Sequence, residues 1–179
     1  MDHVELSTIV YVPPDEAYEF LVDFEGYANY SKHLSGVSRL GDGGPGTEYN
    51  IHLHWWKLSY TVRSQVTSME PPTRIDWTIR KDLDAHGYWK LEPVPEEAPP
   101  DREAATRVWL HIQFDGDSAN SGMLNLPRFI SLDWVVRRVE PLVLTEAERV
   151  VQRIVADLEG ESRPVELTIH EDAGVLDGD

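Results

Sequence analysis

Between about Ser131 and Leu158 the chain carries Val135, Val139, Val143, Ala147, Val150, Ile154 and Leu158, an apolar side chain every three or four residues. Only an α-helix keeps that set on one side. A helix of this length extends on the order of 40 Å, and its single apolar stripe has to be covered by something else. What precedes it is a run of strands, so the chain is constrained to an α+β arrangement in which a sheet curls around a terminal helix. Gly160 follows as a C-terminal cap. Pro141 falls inside the helix, and a kink, or two helices meeting there, is expected from the lost hydrogen bond to the carbonyl of Arg137.

The strand reading rests on alternation. Val4, Leu6, Val10 and Val12 recur with period two until Pro13-Pro14, which cannot donate to a ladder. Asp15, Glu16 and Glu19 then place acid in the first turn of a helix whose buried stripe is Ala17, Tyr18, Leu21 and Val22. A second short helix is expected over Phe24–His33. Gly41 to Gly46 (GDGGPG) is a turn cluster; it lacks the GxGxxG spacing and the following helix of a phosphate loop. From Thr47 to Met69 come two long strands. Tyr49, Ile51, Leu53 and Trp55 share one face, and Asn50, His52, His54 and Trp56 the other. Tyr60, Val62, Ser64 and Val66 continue the inward face. Ile75, Trp77 and Ile79, then Trp89 and Leu91, then Val108, Leu110, Ile112 and Phe114 mark three more strands. Pro93 to Arg102 is a polar loop, and beyond Gly160 an acidic tail contains one strand-like run, Val165 to Ile169, and is expected to be mobile.

Charge narrows the function classes. There are 32 Asp and Glu against 16 Lys and Arg, a net charge of −16, and only four of the cations are Lys. Such a charge repels a phosphate backbone and disfavours docking on anionic lipid, so no nucleic-acid partner is expected. It fits either a basic protein partner or a high-salt environment, where screening lengths fall to ~3 Å. The carboxylates are spread along the whole chain, which favours adaptation to salt. No apolar run reaches the ~18 residues of a membrane span, there is no signal-peptide pattern, and there are no cysteines. A cytoplasmic location is the expectation.

Three stretches carry a family likeness: IVYVPPDEAYEFLVDFEGYANY (Ile9–Tyr30), VTSMEPPTRIDW (Val66–Trp77) and RVVQRIVADLEG (Arg149–Gly160). With the order strand, two helices, antiparallel strands, long terminal helix, the chain resembles the START-related, polyketide-cyclase-like (SRPBCC) superfamily. Within it, the coenzyme-Q-binding or polyketide cyclase/dehydrase-like branch is the nearest in pattern. The resemblance implies a helix-grip fold: a curved antiparallel sheet of six to seven strands around the terminal helix, with two short helices after the first strand. Residues 1–160 would form this domain and 161–179 the acidic tail. It also implies a hydrophobic cavity between sheet and helix, for a quinone, isoprenoid, lipid or polyketide-like molecule.

The candidate lining is Tyr49, Ile51, Leu53, Trp55, Tyr60, Val62, Ser64, Trp77, Ile79, Trp89, Leu91, Leu110 and Ile112, with Phe129 and Trp134 on the approach to the helix. Six Trp and seven Tyr supply large rings that can wall a pocket as well as fill a core. Tyr49, Tyr60 and Ser64 are the candidate polar contacts. His52, His54 and His111 alternate with apolar neighbours and are expected on the opposite face of the sheet, and no third ligand stands at metal spacing. Neither a GxSxG elbow nor any other catalytic motif is present. No metal, cofactor or catalytic residue is assigned. A cyclase- or hydrolase-like enzyme, which needs an acid/base pair inside the cavity, and an acidic interaction protein are the competing readings.

Overall fold

The computed structural model describes the backbone of residues 2–55, 58–81, 83–115 and 132–170, and the side chains of residues 3–54, 59–81, 83–115 and 145–170. Strand β1 (Asp2–Val10) gives way at Pro13 to helix α1 (Pro14–Val22), which opens on proline and carries Asp15 and Glu16 in its first turn. Pro14 suits that position because its missing N–H has no helical partner there. A 3-10 turn over Phe24–Asn29 replaces the longer second helix expected from the sequence. Strands β2 (Leu34–Leu40), β3 (Glu48–Trp55), β4 (Leu58–Glu70), β5 (Arg74–Ile79), β6 (Asp84–Pro93) and β7 (Thr106–Asp115) follow. Helix α2 (Leu132–Glu159) and a short β8 (Thr168–His170) complete the described chain.

All the strands lie in one antiparallel sheet in the order β2-β3-β4-β5-β6-β7-β1-β8. The first strand thus closes beside the last strand of the meander, as a sheet curling around a helix requires. Eight strands form, more than the six to seven expected. The extra ones are those with the weakest alternation. β2 spaces its apolar residues at 34, 37 and 40, and the register shift between Leu34 and Gly36 explains why period two fails there. β8 takes up the end of the strand-like run in the tail and pairs with Glu5, Leu6 and Ser7. The tail through His170 is accordingly held to the sheet, where the sequence suggested mobility.

Helix α2 runs 28 residues without a break at Pro141, so a single helix forms and not two meeting there. It terminates at Gly160, whose φ of 79° is open to glycine at low cost and whose N–H donates to Ala156 O at 2.9 Å. Val155 is buried, and Val151 and Leu158 pack beside it against the sheet. The helix end is then pinned by charge. The buried Glu159 carboxylate accepts from Arg163 Nε at 2.7 Å, from Arg163 Nη2 at 3.0 Å and from the Tyr11 amide at 2.9 Å. Arg163 also donates to Ile9 O at 2.9 Å and lies 3.9 Å over the Tyr11 ring. Both oxygens of a costly buried anion are thereby matched by donors, which is the condition for burying it at all.

Candidate functional site

Antiparallel register carries the inward-facing residues into continuous rows across the concave side. One row reads Met69, Ile75, Trp89, Leu110 and Leu6; the next reads Val66, Trp77, Gly87, Ile112 and Val4. On the β3–β4 side Tyr49 faces Ser64, Ile51 faces Val62 and Leu53 faces Tyr60, while Ser64 also pairs with Ile79. The candidate lining from Tyr49 to Ile112 therefore does converge on one surface as far as its side chains are described. Trp55 and Trp134 contribute backbone to β3 and α2 with side chains outside the described set, and Phe129 lies outside the described residues.

Burial divides this surface in two. At one end Tyr49, Val66, Ile75, Leu91, Val10 and Thr106 are all 3% exposed or less, and α1 and Val155 pack onto them. At the other end Val62, Ile79, Leu110 and Ile112 are only half-buried, and Leu53 is 36% exposed. Trp77 and Trp89, between them, are half-buried as well. The candidate residues are thus not equivalent: Tyr49 and Leu91 belong to solid core, with the Tyr49 ring centroid 4.7 Å from that of Phe24. A cleft of about 320 Å³ lies at the end of β3 and β4, bordered by Ser35, Leu53 and Tyr60 and by His52, His54, Ser59 and Thr61, the last four from the outer face of the sheet, so it is not a pocket of the concave side.

Gly87 leaves room for an indole against this sheet. A Cβ there would come within 2.6 Å of Trp77 Cζ2 and would meet the His111 carbonyl oxygen. The missing side chain gives Trp77 its place. A glycine inside a strand pattern is the signal that could have marked this close approach in advance.

The outer face carries the histidines. His52 Nδ1 is 2.9 Å from Thr61 Oγ1 and His54 Nδ1 is 3.2 Å from Ser59 Oγ, both cross-strand partners. His111 lies 3.2 Å from Glu5 and is stacked between Tyr88, at 4.8 Å, and His3, at 5.6 Å. Arg74 extends that stack, 3.8 Å over Tyr88. These contacts satisfy the imidazoles on the side of the sheet away from α2. Among the described residues no group of three or more His, Asp or Glu is placed to hold a metal ion.

Residues 1–159 match the family model for polyketide cyclase/dehydrase and lipid transport proteins. The chain belongs to that family. No curated protein sequence matches it. Among solved structures, it is similar to the Zhui aromatase/cyclase of Streptomyces sp. R1128, with a TM-score of 0.60 at 19% identity over 88% of this chain and 93% of that one. The TTHA0849 protein of Thermus thermophilus gives 0.59 at 17% identity, covering 89% and 98%. A START superfamily protein of Mycobacterium smegmatis gives 0.59 at 15% identity, covering 87% and 98%. At such identities the shared property is the helix-grip fold.

What this member of the polyketide cyclase/dehydrase and lipid transport family can hold depends on the polar content of its concave side. Among the described residues it includes the hydroxyls of Tyr18, Tyr49, Tyr60, Ser64 and Thr106, together with Arg39, which pairs across from Tyr49 and lies 3.2 Å from Glu25. Thr106 donates to Val12 O at 2.8 Å, and so is spent on the backbone. Burial pushes the phenols of Tyr18 and Tyr49 above their ordinary pKa, which keeps both protonated. Tyr18 is the polar residue that sequence reasoning places among plain core. Its apolar neighbours along α1 conceal it, and only the absence of a hydrogen-bond partner sets it apart. No described helix is long and apolar enough to cross a membrane.

Proposed function

We propose that the protein binds or carries a hydrophobic small molecule, of the quinone, isoprenoid, lipid or polyketide-like class, in the space between the concave sheet and α2. The observation that carries this reading is the incomplete burial of a contiguous apolar surface. Leu53, Val62, Ile79, Leu110 and Ile112 share one face with fully packed core, yet remain half-covered or exposed. A monomer that gained nothing from leaving them open would be more stable with them closed. Covering roughly 300 Å² of ligand apolar surface there gains about 7 kcal/mol before association costs, in the range of micromolar binding. Family membership supports the same class of guest.

A cyclase-like activity needs a proton donor and acceptor at a reacting carbon. On the described concave side the charged groups near a hydroxyl, Arg39 and Glu25 by Tyr49, are paired with each other at 3.2 Å beside packed core, so binding is the better-supported reading. Organic extraction of protein purified without detergent, followed by mass spectrometry, tests it. Recovery of one apolar compound in near-stoichiometric amount is the expected result. Repeated recovery of none, with no uptake of an apolar fluorophore, overturns the proposal.

A further inference from the structure

Near the end of β3 two imidazoles share one face. His52 and His54 stand two residues apart, so both project from the outer side of the sheet, where successive same-face positions are about 6.6 Å apart. Both are exposed, and both border the cleft at the end of β3 and β4, so a solute can reach them. Each ring is held by one nitrogen: His52 Nδ1 lies 2.9 Å from Thr61 Oγ1, and His54 Nδ1 lies 3.2 Å from Ser59 Oγ. Thr61 and Ser59 are the residues directly opposite on β4, so the register of the sheet sets both rings. Neither Nε2 has a hydrogen-bond partner among the described residues. A hydroxyl that accepts from Nδ1–H selects the tautomer in which Nε2 carries the free lone pair. That is the state of a metal-binding imidazole, whose second nitrogen is normally tied to a hydrogen-bond acceptor.

We propose that His52 and His54 bind a divalent late first-row transition-metal cation through their Nε2 atoms. Neutral imidazoles favour Cu2+, Ni2+ or Zn2+ over the oxygen-seeking Mg2+ and Ca2+, and the general order of affinities puts Cu2+ first. Among the described residues no third His, Asp or Glu joins the pair, so water fills the remaining positions and affinity in the micromolar range is expected. The net charge of −16 draws such a cation toward the surface. Because the pair lies on the side of the sheet away from α2, this site is independent of the space proposed for the apolar guest.

Titration of the intact chain with copper(II), followed by electron paramagnetic resonance, tests this. The expected result is one equivalent bound at roughly micromolar free copper, with a signal split by two nitrogen ligands, and its loss in both His52→Gln and His54→Gln. Thr61→Val and Ser59→Ala leave the imidazoles in place but remove the groups that orient them, and each should weaken the site about tenfold. His86→Gln, on the same face of the sheet but outside the cleft, should leave it unchanged. All five side chains are exposed, so the metal-free variants should melt with the unaltered protein. Copper held elsewhere on the chain is recognised by its survival in every variant. A copper titration that is the same in His52→Gln or His54→Gln as in the unaltered protein overturns the proposal. So does full affinity in both Thr61→Val and Ser59→Ala, which would reduce the pair to two surface imidazoles without a built site.

Discussion

The two ends of the concave face are built from the same strands and the same residue types, yet they behave as different materials. At the packed end Val66, Ile75 and Leu91 are 2% exposed or less, and Glu159, Arg163 and Tyr11 fasten the end of α2 beside them. At the open end Val62, Ile79 and Leu53 continue those strands with much of their surface uncovered. The difference lies in what is laid across the sheet. α1 and the C-terminal turns of α2 fill one end, and nothing of comparable density covers the other among the described residues. A helix-grip protein thereby separates stability from binding along the length of each strand.

The largest expected effect tests the fastening. Glu159→Ala leaves the Arg163 guanidinium without its buried partner and the Tyr11 amide without its acceptor. Unfolding by urea should show a loss of about 3–5 kcal/mol. A loss below about 1 kcal/mol would mean that the packed end does not depend on this contact. The next prediction compares the two ends directly. Ile75→Ala should cost about 2–5 kcal/mol, while Val62→Ala should cost under about 1 kcal/mol and chiefly weaken ligand binding. Similar losses at both positions would erase the distinction.

Gly87→Ala sharpens the boundary between the ends, since the new Cβ meets both the His111 carbonyl oxygen and the Trp77 indole, and strand and ring must shift. About 1–3 kcal/mol of destabilisation with a shifted tryptophan emission is the expected outcome. An unchanged spectrum would show that the ring does not rest on the glycine. The smallest effect concerns the turn that leads into the packed end. The Gly44 N–H, at 2.8 Å, and then the Thr47 hydroxyl hold the Asp42 carboxyl below the usual carboxylate range. A depressed folded pKa stabilises the fold above the unfolded value, and that contribution disappears as pH falls below about 4. Asp42→Asn should therefore lower the melting temperature slightly at neutral pH and flatten the acid limb, the two proteins converging in acid.

Much of this architecture was legible in the chain because periodicity reports faces directly. The stripe from Val135 to Leu158 announced α2, and the alternation from Tyr49 to Phe114 placed the candidate lining on one side of the sheet. It also placed His52, His54 and His111 on the other. β2 escaped because a bulge breaks its alternation, and β8 because three residues carry too little pattern to show pairing. Tyr18 looked like ordinary helix stripe, because whether a hydroxyl has a partner depends on residues far away in sequence.

Amino-acid order alone carried the regularly alternating strands, the terminal helix and the inward faces, since each follows from local period and turn residues, while the family was read from the likeness of three stretches to known proteins. Which inward residues are sealed and which stay open was decided only in three dimensions. Burial is a property of what lies across from a side chain, and for Leu91, Leu53 and Tyr18 those neighbours come from distant segments.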